Sequence, residues 1–494
     1  MMKCVRQVSL FLLMIFSSIA QAQTPNYEEH IKPLFRSHCL KCHNSDESNA
    51  DLDLSSYAAV IKGGSSGDVV KAGRPESSQL YRAMAHLENV EAMPPESPKL
   101  SEVKIALVRE WIRSGLIAGK GGKSLLRSLG AMLTPVKAGT PAPIPTVLPD
   151  VPLTKVVRPP IPQALAASPG ARLFAVSGQE QILLYGMAKA DPGEIEDDTE
   201  VSKSSRPLSS TLRRFNLLGA LPFPEGTIHD VKFSRNGSLI LAAGGRGAHS
   251  GRVVLYDVNT GKRVAEIGDE VESVLAADIT ANHKFVALGG PGKLVKVFET
   301  AGGELVHRID KHTDWVTAMS FSPDGSLLAT GDRSGGVHVW ETEKGAIVFT
   351  LNEHKVRITD LAWRADSKLL ATAAEDGNLI LWDMKDGFPS RNIVAHSSKE
   401  SPRYSRRTGV TAVNFAPDGR LLTVGRDGFA RVWSTEGVKQ GEFRIDKGIP
   451  TAASFLNGGA AAVIGSFHGV IQIWDLKSNA RLQNLVNGIN EAKR

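Results

Sequence analysis

The chain has 494 residues, 42% of them hydrophobic and 22% charged, with a formal net charge of +6 and only three cysteines. That length accommodates a small domain and a large one, and its mild, scattered positive charge gives nucleic-acid binding little support. No glycine-rich phosphate loop follows a strand and no serine-nucleophile motif stands out, so no nucleotide site or hydrolase centre is expected.

Residues 1–22 read as an export signal. Lys3 and Arg6 form a basic start, Val8 to Ala20 is almost wholly apolar, and Ala20-Gln21-Ala22 supplies small residues for cleavage. The apolar run is short for a bilayer span, and no later stretch is apolar enough to cross one. Cys4 precedes the apolar stretch and would leave with the signal. The mature protein is therefore expected to be exported, periplasmic in a bacterium, with two cysteines and a net charge of +4 once Lys3 and Arg6 are gone.

Both remaining cysteines lie in "HCLKCHNSDE", His38 to Glu47. A structural zinc site wants four ligands, and Cys39, Cys42 and His43 fall short of that with no second cysteine pair in the chain. A thioredoxin-like redox pair follows a strand in a βαβ setting, which Asn26–Ser37 does not resemble. Haem attachment uses all three residues. Two thiols at this spacing on a short helix join one haem through its two vinyl groups, and the next residue offers its imidazole to the iron. For the sixth ligand the candidates are Met93, Met84 and His86. Met93 opens "MPPESPKL", where two prolines stiffen the chain. Met84 and His86 lie in a helical pattern beginning near Ser77, where a methionine more often packs in a core. An open sixth position is the remaining alternative.

The segment from Asn26 to about Ala118 resembles the planctomycete-type cytochrome c domain. The resemblance rests on "IKPLFRSHCLKCH", "ADLDLSSYAAVIKGGSSGDVVKAGRPESSQL" and "MPPESPKLSEVKIALVREWIRSG". It implies a small all-α fold and one covalently bound haem c. It implies thioethers at Cys39 and Cys42, His43 as the proximal iron ligand and Met93 as the distal one. Within the last stretch, Ser101 is a candidate helix cap. Val103, Leu107, Val108, Trp111 and Ile112 recur at helical spacing, with Trp111 read as a core residue rather than an electron relay.

Residues 119–154 continue as a proline-rich linker, extended and semi-rigid. Beyond it the chain repeats. "AMSFSPDGSLLATGDRSGGVHVWE" (Ala318–Glu341) matches "DLAWRADSKLLATAAEDGNLILWD" (Asp360–Asp383) and "AVNFAPDGRLLTVGRDGFARVWS" (Ala412–Ser434). Tyr256, Phe298, Trp340 and Trp382 follow one another at 42-residue steps, with Tyr185 before them and Trp433 and Trp474 after. This spacing, punctuated by turns such as Pro323-Asp324-Gly325, is that of short alternating strands, four to a unit. The region resembles the WD-repeat family over about 155–486, which implies an all-β propeller of seven blades. His354, Thr372, Asp376 and Trp382 form the best candidate for the buried polar group of that family, structural rather than catalytic. Two insertions interrupt the period. Residues 186–212 are acidic and then basic, and 397–407 carries Lys399, Arg403, Arg406 and Arg407.

The expected molecule is multidomain: a signal (1–22), a haem domain (23–118), a linker (119–154) and a propeller (155–494). The function it suggests is electron transfer by one haem, with the propeller docking a protein partner, rather than catalysis on a substrate of its own. A scaffold with an accessory haem, and haem-based catalysis or sensing, are the alternatives.

Overall fold

The computed structural model describes residues 25–45, 47–65, 67–88, 90–95, 98–119, 142–154, 158–187, 214–397, 409–446 and 448–488. The signal segment, much of the acidic-then-basic insertion and the loop with Lys399, Arg403, Arg406 and Arg407 lie outside the described residues. The chain divides into two compact units, Met1–Arg127 and Ser128–Arg494.

The first unit is built of short helices. A π-helical turn, Tyr27–Ile31, is capped by the Asn26 carboxamide, which accepts from the Glu29 N–H at 2.9 Å. It runs into α1 (Lys32–His38), whose early Pro33 occupies a position where a missing N–H costs nothing. Then come α2 (Tyr57–Lys62), α3 (Gln79–Met84) and α4 (Glu102–Arg113). Their apolar faces share one core with Tyr27 at its centre. The Tyr27 ring lies 6.2 Å from Phe35, 5.9 Å from Tyr57 and 5.9 Å from Trp111, centroid to centroid. Its hydroxyl donates to the Leu54 carbonyl at 2.8 Å. Trp111 is fully buried and donates its indole N–H to the Ile117 carbonyl, as a packing residue should. In α4 the buried face is Ile105, Val108, Trp111 and Ile112. Val103, expected inward from its spacing, is 81% exposed. The helix is rotated so that Ile105 takes the inward place, and Ser101 at its N-cap makes no side-chain cap bond.

The second unit is a propeller of seven four-stranded antiparallel blades. Each blade uses four strands consecutive in sequence, so the first (from Leu165–Ala167 to Phe215–Pro222) and the last (from Pro450–Leu456 to Ala480–Val486) share no strand. The aromatics that set the period all sit in the third strand of their own blade and are all buried: Tyr185, Tyr256, Phe298, Trp340, Trp382, Trp433 and Trp474. The Pro323-Asp324-Gly325 turn joins Val316–Phe321 to Leu327–Asp332, with Gly325 at φ +76° donating to the Ser322 carbonyl.

The apolar core lies between blades rather than within them. Seven clusters each join two neighbours, and one of them closes the ring from Leu165, Phe174 and Phe215 of blade 1 to Val463, Ile471 and Ile473 of blade 7. Polar ties reinforce that seam. Gln483 exchanges two bonds with the Phe215 backbone at 2.9 Å, and Asn487 donates to the carbonyls of Pro160 and Ser177.

The proline-rich stretch expected as linker is attached to the propeller in its second part. Thr146 donates its N–H to the Asn259 carbonyl at 3.0 Å. Leu148 packs on the core between blades 1 and 2, and Val151 and Leu153 pack on the closing core.

Candidate functional site

Cys39, Cys42 and His43 are brought together on one turn that continues α1. The Cys39 N–H donates to the Phe35 carbonyl at 2.7 Å, and the N–H groups of Cys42 and His43 both donate to the Cys39 carbonyl, at 3.1 and 3.0 Å. The turn is also held from its far side. Asn49 donates to the Cys42 carbonyl and Leu54 to the His43 carbonyl, while the Asn44 carboxamide donates to Leu40. The three side chains are half-buried, with Cys39 against the edge of the helical core.

Both thiols are free. Burial pushes the Cys39 thiol up to about 11, which is opposite to the lowered pKa of a thiolate redox pair. Among the described residues no three His, Cys, Asp or Glu side chains converge as a protein-only metal site requires. The Nδ1 of His43 is buried with no hydrogen-bond partner. An unsatisfied buried nitrogen is costly in a finished site. The donor set is therefore two free thiols and an imidazole on one turn, which fits haem c and does not fit a redox disulfide or a zinc site.

Met93 lies on a separate segment. Its N–H donates to the Ala83 carbonyl at 3.0 Å, which ties "MPP" to the C-terminal end of α3, and its side chain is half-buried. Met84 is buried in the helical core and is thereby used in packing. His86 is exposed, with φ +53°.

In the propeller the polar groups behave as structure. Among the described residues, two blades carry a complete His–Asp–Thr–Trp set. In blade 4, His312 bonds Asp332 at 2.9 Å and Thr330 at 2.7 Å, and Trp340 donates to Thr330 at 2.8 Å. In blade 6, His396 bonds Asp427 at 2.8 Å and Thr423 at 2.9 Å, and Trp433 donates to Thr423 at 2.9 Å. The set expected in blade 5 is incomplete. His354 bonds Thr372 at 2.7 Å and Trp382 donates to Thr372 at 2.9 Å. Asp376, however, is exposed and accepts instead from the backbone and side chain of Asn378. Asn378 follows Asp376 closely in the same turn and captures its carboxylate locally.

Two further groups were not visible in the sequence. Arg431 is 1% exposed, and its guanidinium bonds Asp427 at 2.6 Å and Glu442 at 2.7 Å. Burial opposes ionisation of Asp427, but bonds from His396 and Arg431 outweigh it and hold its pKa below the ordinary value. The first strands of the blades line a central cavity of about 430 Å³ containing Asp230, Lys232, Asp278 and Asp360. Asp230, Asp278 and Asp360 each accept the N–H of a residue in the next blade, Ala277, Phe321 and Val413. Lys232 donates to the Met319 carbonyl at 2.5 Å, reaching past blade 3 to blade 4. These charges clamp blades together, and no local period in the sequence marks them.

Comparison with known families agrees with both units. The model for planctomycete cytochrome C matches residues 39–97, beginning at Cys39. The model for the WD domain, G-beta repeat, matches 303–341, 345–383 and 401–434. The matches take in the first three strands of blades 4, 5 and 6, which carry the His–Thr–Trp group, and the first two begin with the fourth strand of the blade before. Blade 7 departs from it, with Trp474 donating to Gln472 instead. No curated protein matches the chain. The chain thus joins a segment that matches planctomycete cytochrome C to a seven-bladed propeller with three WD-repeat matches.

Proposed function

We propose that this protein is an exported monohaem c-type cytochrome that transfers electrons, with the propeller docking a protein partner. The observation that carries the reading is the turn at Cys39–His43. It presents two free thiols and an imidazole whose Nδ1 has no partner. Cys39 and Cys42 would hold one haem c through thioethers, and His43 would bind its iron. Bound there, the haem supplies one-electron chemistry at a potential set by its axial ligands and surroundings. The chain's own contribution is positioning. The backbone bonds from Asn49 and Leu54 hold the turn, and the Ala83 tie holds the Met93 segment. Met93 is the proposed sixth ligand, since Met84 is used in the core and His86 is exposed. WD-repeat propellers bind proteins through the loops at the ends of the ring, and a tethered propeller raises the effective concentration of haem at its partner. Among the described residues no helix is long and apolar enough to cross a membrane. Export rests on the pattern of residues 1–22.

The test is haem retention. The full chain, made in a host that matures c-type cytochromes, is expected to keep haem through denaturing electrophoresis, and the Cys39→Ala/Cys42→Ala variant to lose it. Met93→Ala is expected to abolish a far-red charge-transfer band of the ferric protein and lower its potential, because a thioether favours ferrous iron. Absence of haem stain from the wild-type protein would end the reading. Loss of the band with Met84→Ala, and not with Met93→Ala, would move the ligand.

A further inference from the structure

The register of the first strands sorts the lining of the central cavity into levels. A break in register falls just before Asp230, Ala318, Asp360, Ala412 and Ala452, which makes these equivalent positions on blades 2, 4, 5, 6 and 7. Two residues further on, and so on the same face of each strand, stand Lys232, Ser320 and Asn414 of blades 2, 4 and 6. The first level is thus two carboxylates among alanines, and the second is polar.

The charges of the cavity pair off with one exception. Lys232 lies 3.7 Å from Asp230 and 3.9 Å from Asp278, and Arg235, on the Phe321 carbonyl, supplies a second cation. Burial lowers the pKa of His229 and keeps that ring neutral. Two cations therefore answer Asp230 and Asp278, and Asp360 is left over, with no ion-pair partner among the described residues. Its two oxygens accept the N–H groups of Leu361 at 2.8 Å and Val413 at 2.9 Å, and each retains a free lone pair. Burial raises its pKa to about 6 against the pull of the Val413 N–H and Lys232. At neutral pH it is ionised at a cost that an added cation relieves.

The blades on either side of Asp360 carry Ser320 and Asn414. Ser320 is only 8% exposed, yet neither its hydroxyl nor the Asn414 carboxamide has a partner among the described residues. A polar side chain so deeply buried is normally bonded. Three consecutive blades thus turn a carboxylate, a hydroxyl and a carboxamide oxygen into one cavity. Three acceptors match the three N–H donors of a primary ammonium. A metal ion fits less well, because among the described residues no three His, Cys, Asp or Glu side chains converge. At about 430 Å³ the cavity is of the size that takes a small molecule.

We infer that the central cavity binds a small primary amine as its ammonium ion, paired with Asp360, hydrogen-bonded to Ser320 and Asn414, its carbon chain against Ala318 and Ala412. This goes beyond the electron-transfer reading and does not rest on it.

The experiment titrates the full-length protein calorimetrically with pentylamine and with 1-pentanol, its uncharged counterpart, in phosphate buffer near neutral pH. Pentylamine is expected to bind at least about tenfold more tightly than the alcohol, the effect of a charge-assisted bond. Asp360→Asn keeps an acceptor for Val413 and is expected to remove that difference. Ser320→Ala/Asn414→Ala deletes no bond within the protein, so it leaves the fold intact, and is expected to weaken pentylamine about three- to tenfold. Near-ultraviolet circular dichroism checks that each variant is folded. Equal binding of amine and alcohol, or no binding of pentylamine below about 10 mM, would overturn the inference and leave a cavity filled by water. Pentylamine bound unchanged by both variants would also overturn it. Haem staining of the same protein is read separately, so neither result bears on the cytochrome proposal.

Discussion

The acid limit of the propeller is expected to depend on Asp332. This carboxylate is buried in blade 4 and accepts from His312 Nδ1 at 2.9 Å, from Ser334 N–H and hydroxyl at 2.9 and 2.8 Å, and from the Gly336 N–H at 2.8 Å. Burial alone would raise its pKa, but those donors outweigh burial and bring it down from 3.8 to about 2. At about 1.36 kcal/mol for each pH unit, the difference is worth about 2 kcal/mol. The folded pKa lies below the unfolded one, so the contribution is complete above about pH 4 and is lost as pH falls from there towards 2. Asp332→Asn keeps one acceptor and removes the charge, so it forfeits the contribution at neutral pH and has little left to lose at pH 2. Denaturant unfolding, followed by the fluorescence of Trp340 and its fellow tryptophans, measures the gap between wild type and variant at several pH values. The gap is expected to narrow by about 2 kcal/mol between pH 5 and pH 2. Other depressed carboxylates titrate equally in both proteins and cancel. A gap that stays constant across that range would show that Asp332 acts by shape and not by ionisation.

Arg431→Met removes a buried cation and leaves Asp427 buried without it, so a loss of about 3–5 kcal/mol is expected in the same unfolding assay; a change under 1 kcal/mol would mean that water or His396 replaces it. Asp360 behaves oppositely to Asp332. Burial raises its pKa to about 6 against the pull of the Val413 N–H and Lys232, so the fold prefers its neutral form, and that preference is present below about pH 4 and lost as pH rises through 6. Asp360→Asn keeps the acceptor for Val413 and is expected to gain on the wild type by up to about 3 kcal/mol between pH 4 and pH 7.5, less what cavity water screens; a gain that does not change with pH would refute the assignment.

What could be read from the sequence was local or periodic. Cys39, Cys42 and His43 are neighbours in the chain, so their chemistry follows from spacing before any fold is known. The seven aromatics recur because each blade needs one large ring at the same place in its third strand. The errors arose where a side chain had a choice. Asp376 stands at the right distance from His354 in sequence, yet Asn378 is nearer and takes it, while Asp332 and Asp427 stand in less conspicuous repeats and complete the group. Val103 fits the helical period, but which side of α4 faces the core depends on Tyr27 and Phe35, far away in the chain. Nothing in the local sequence marks Arg431 as buried, and only the fold brings Glu442 and Asp427 to it.

Ring closure had no signature at all in the sequence, for a physical reason. A strand shared between the first and last blades would tie the two ends of the ring by a full ladder of backbone bonds. Here each blade keeps its own four strands, so the seam must be held by side chains and loops. The structure supplies three kinds of tie. An apolar cluster of the same make as the other six joins blades 1 and 7. Thr451 donates to the Pro162 carbonyl, and Ser454 accepts the Ala167 N–H, across 289 and 287 residues. The entering chain then braces both sides, with Leu148 on the core of blades 1 and 2, and Val151 and Leu153 on the seam itself. Burial at the seam thus matches that between any two blades, while the loop entropy of bringing its ends together grows only slowly with length. Among the described residues, every group that closes the ring lies between residues 142 and 488. The prolines of the entering segment therefore do more than space the two units. They hold Leu148, Val151 and Leu153 extended for packing, at low entropic cost.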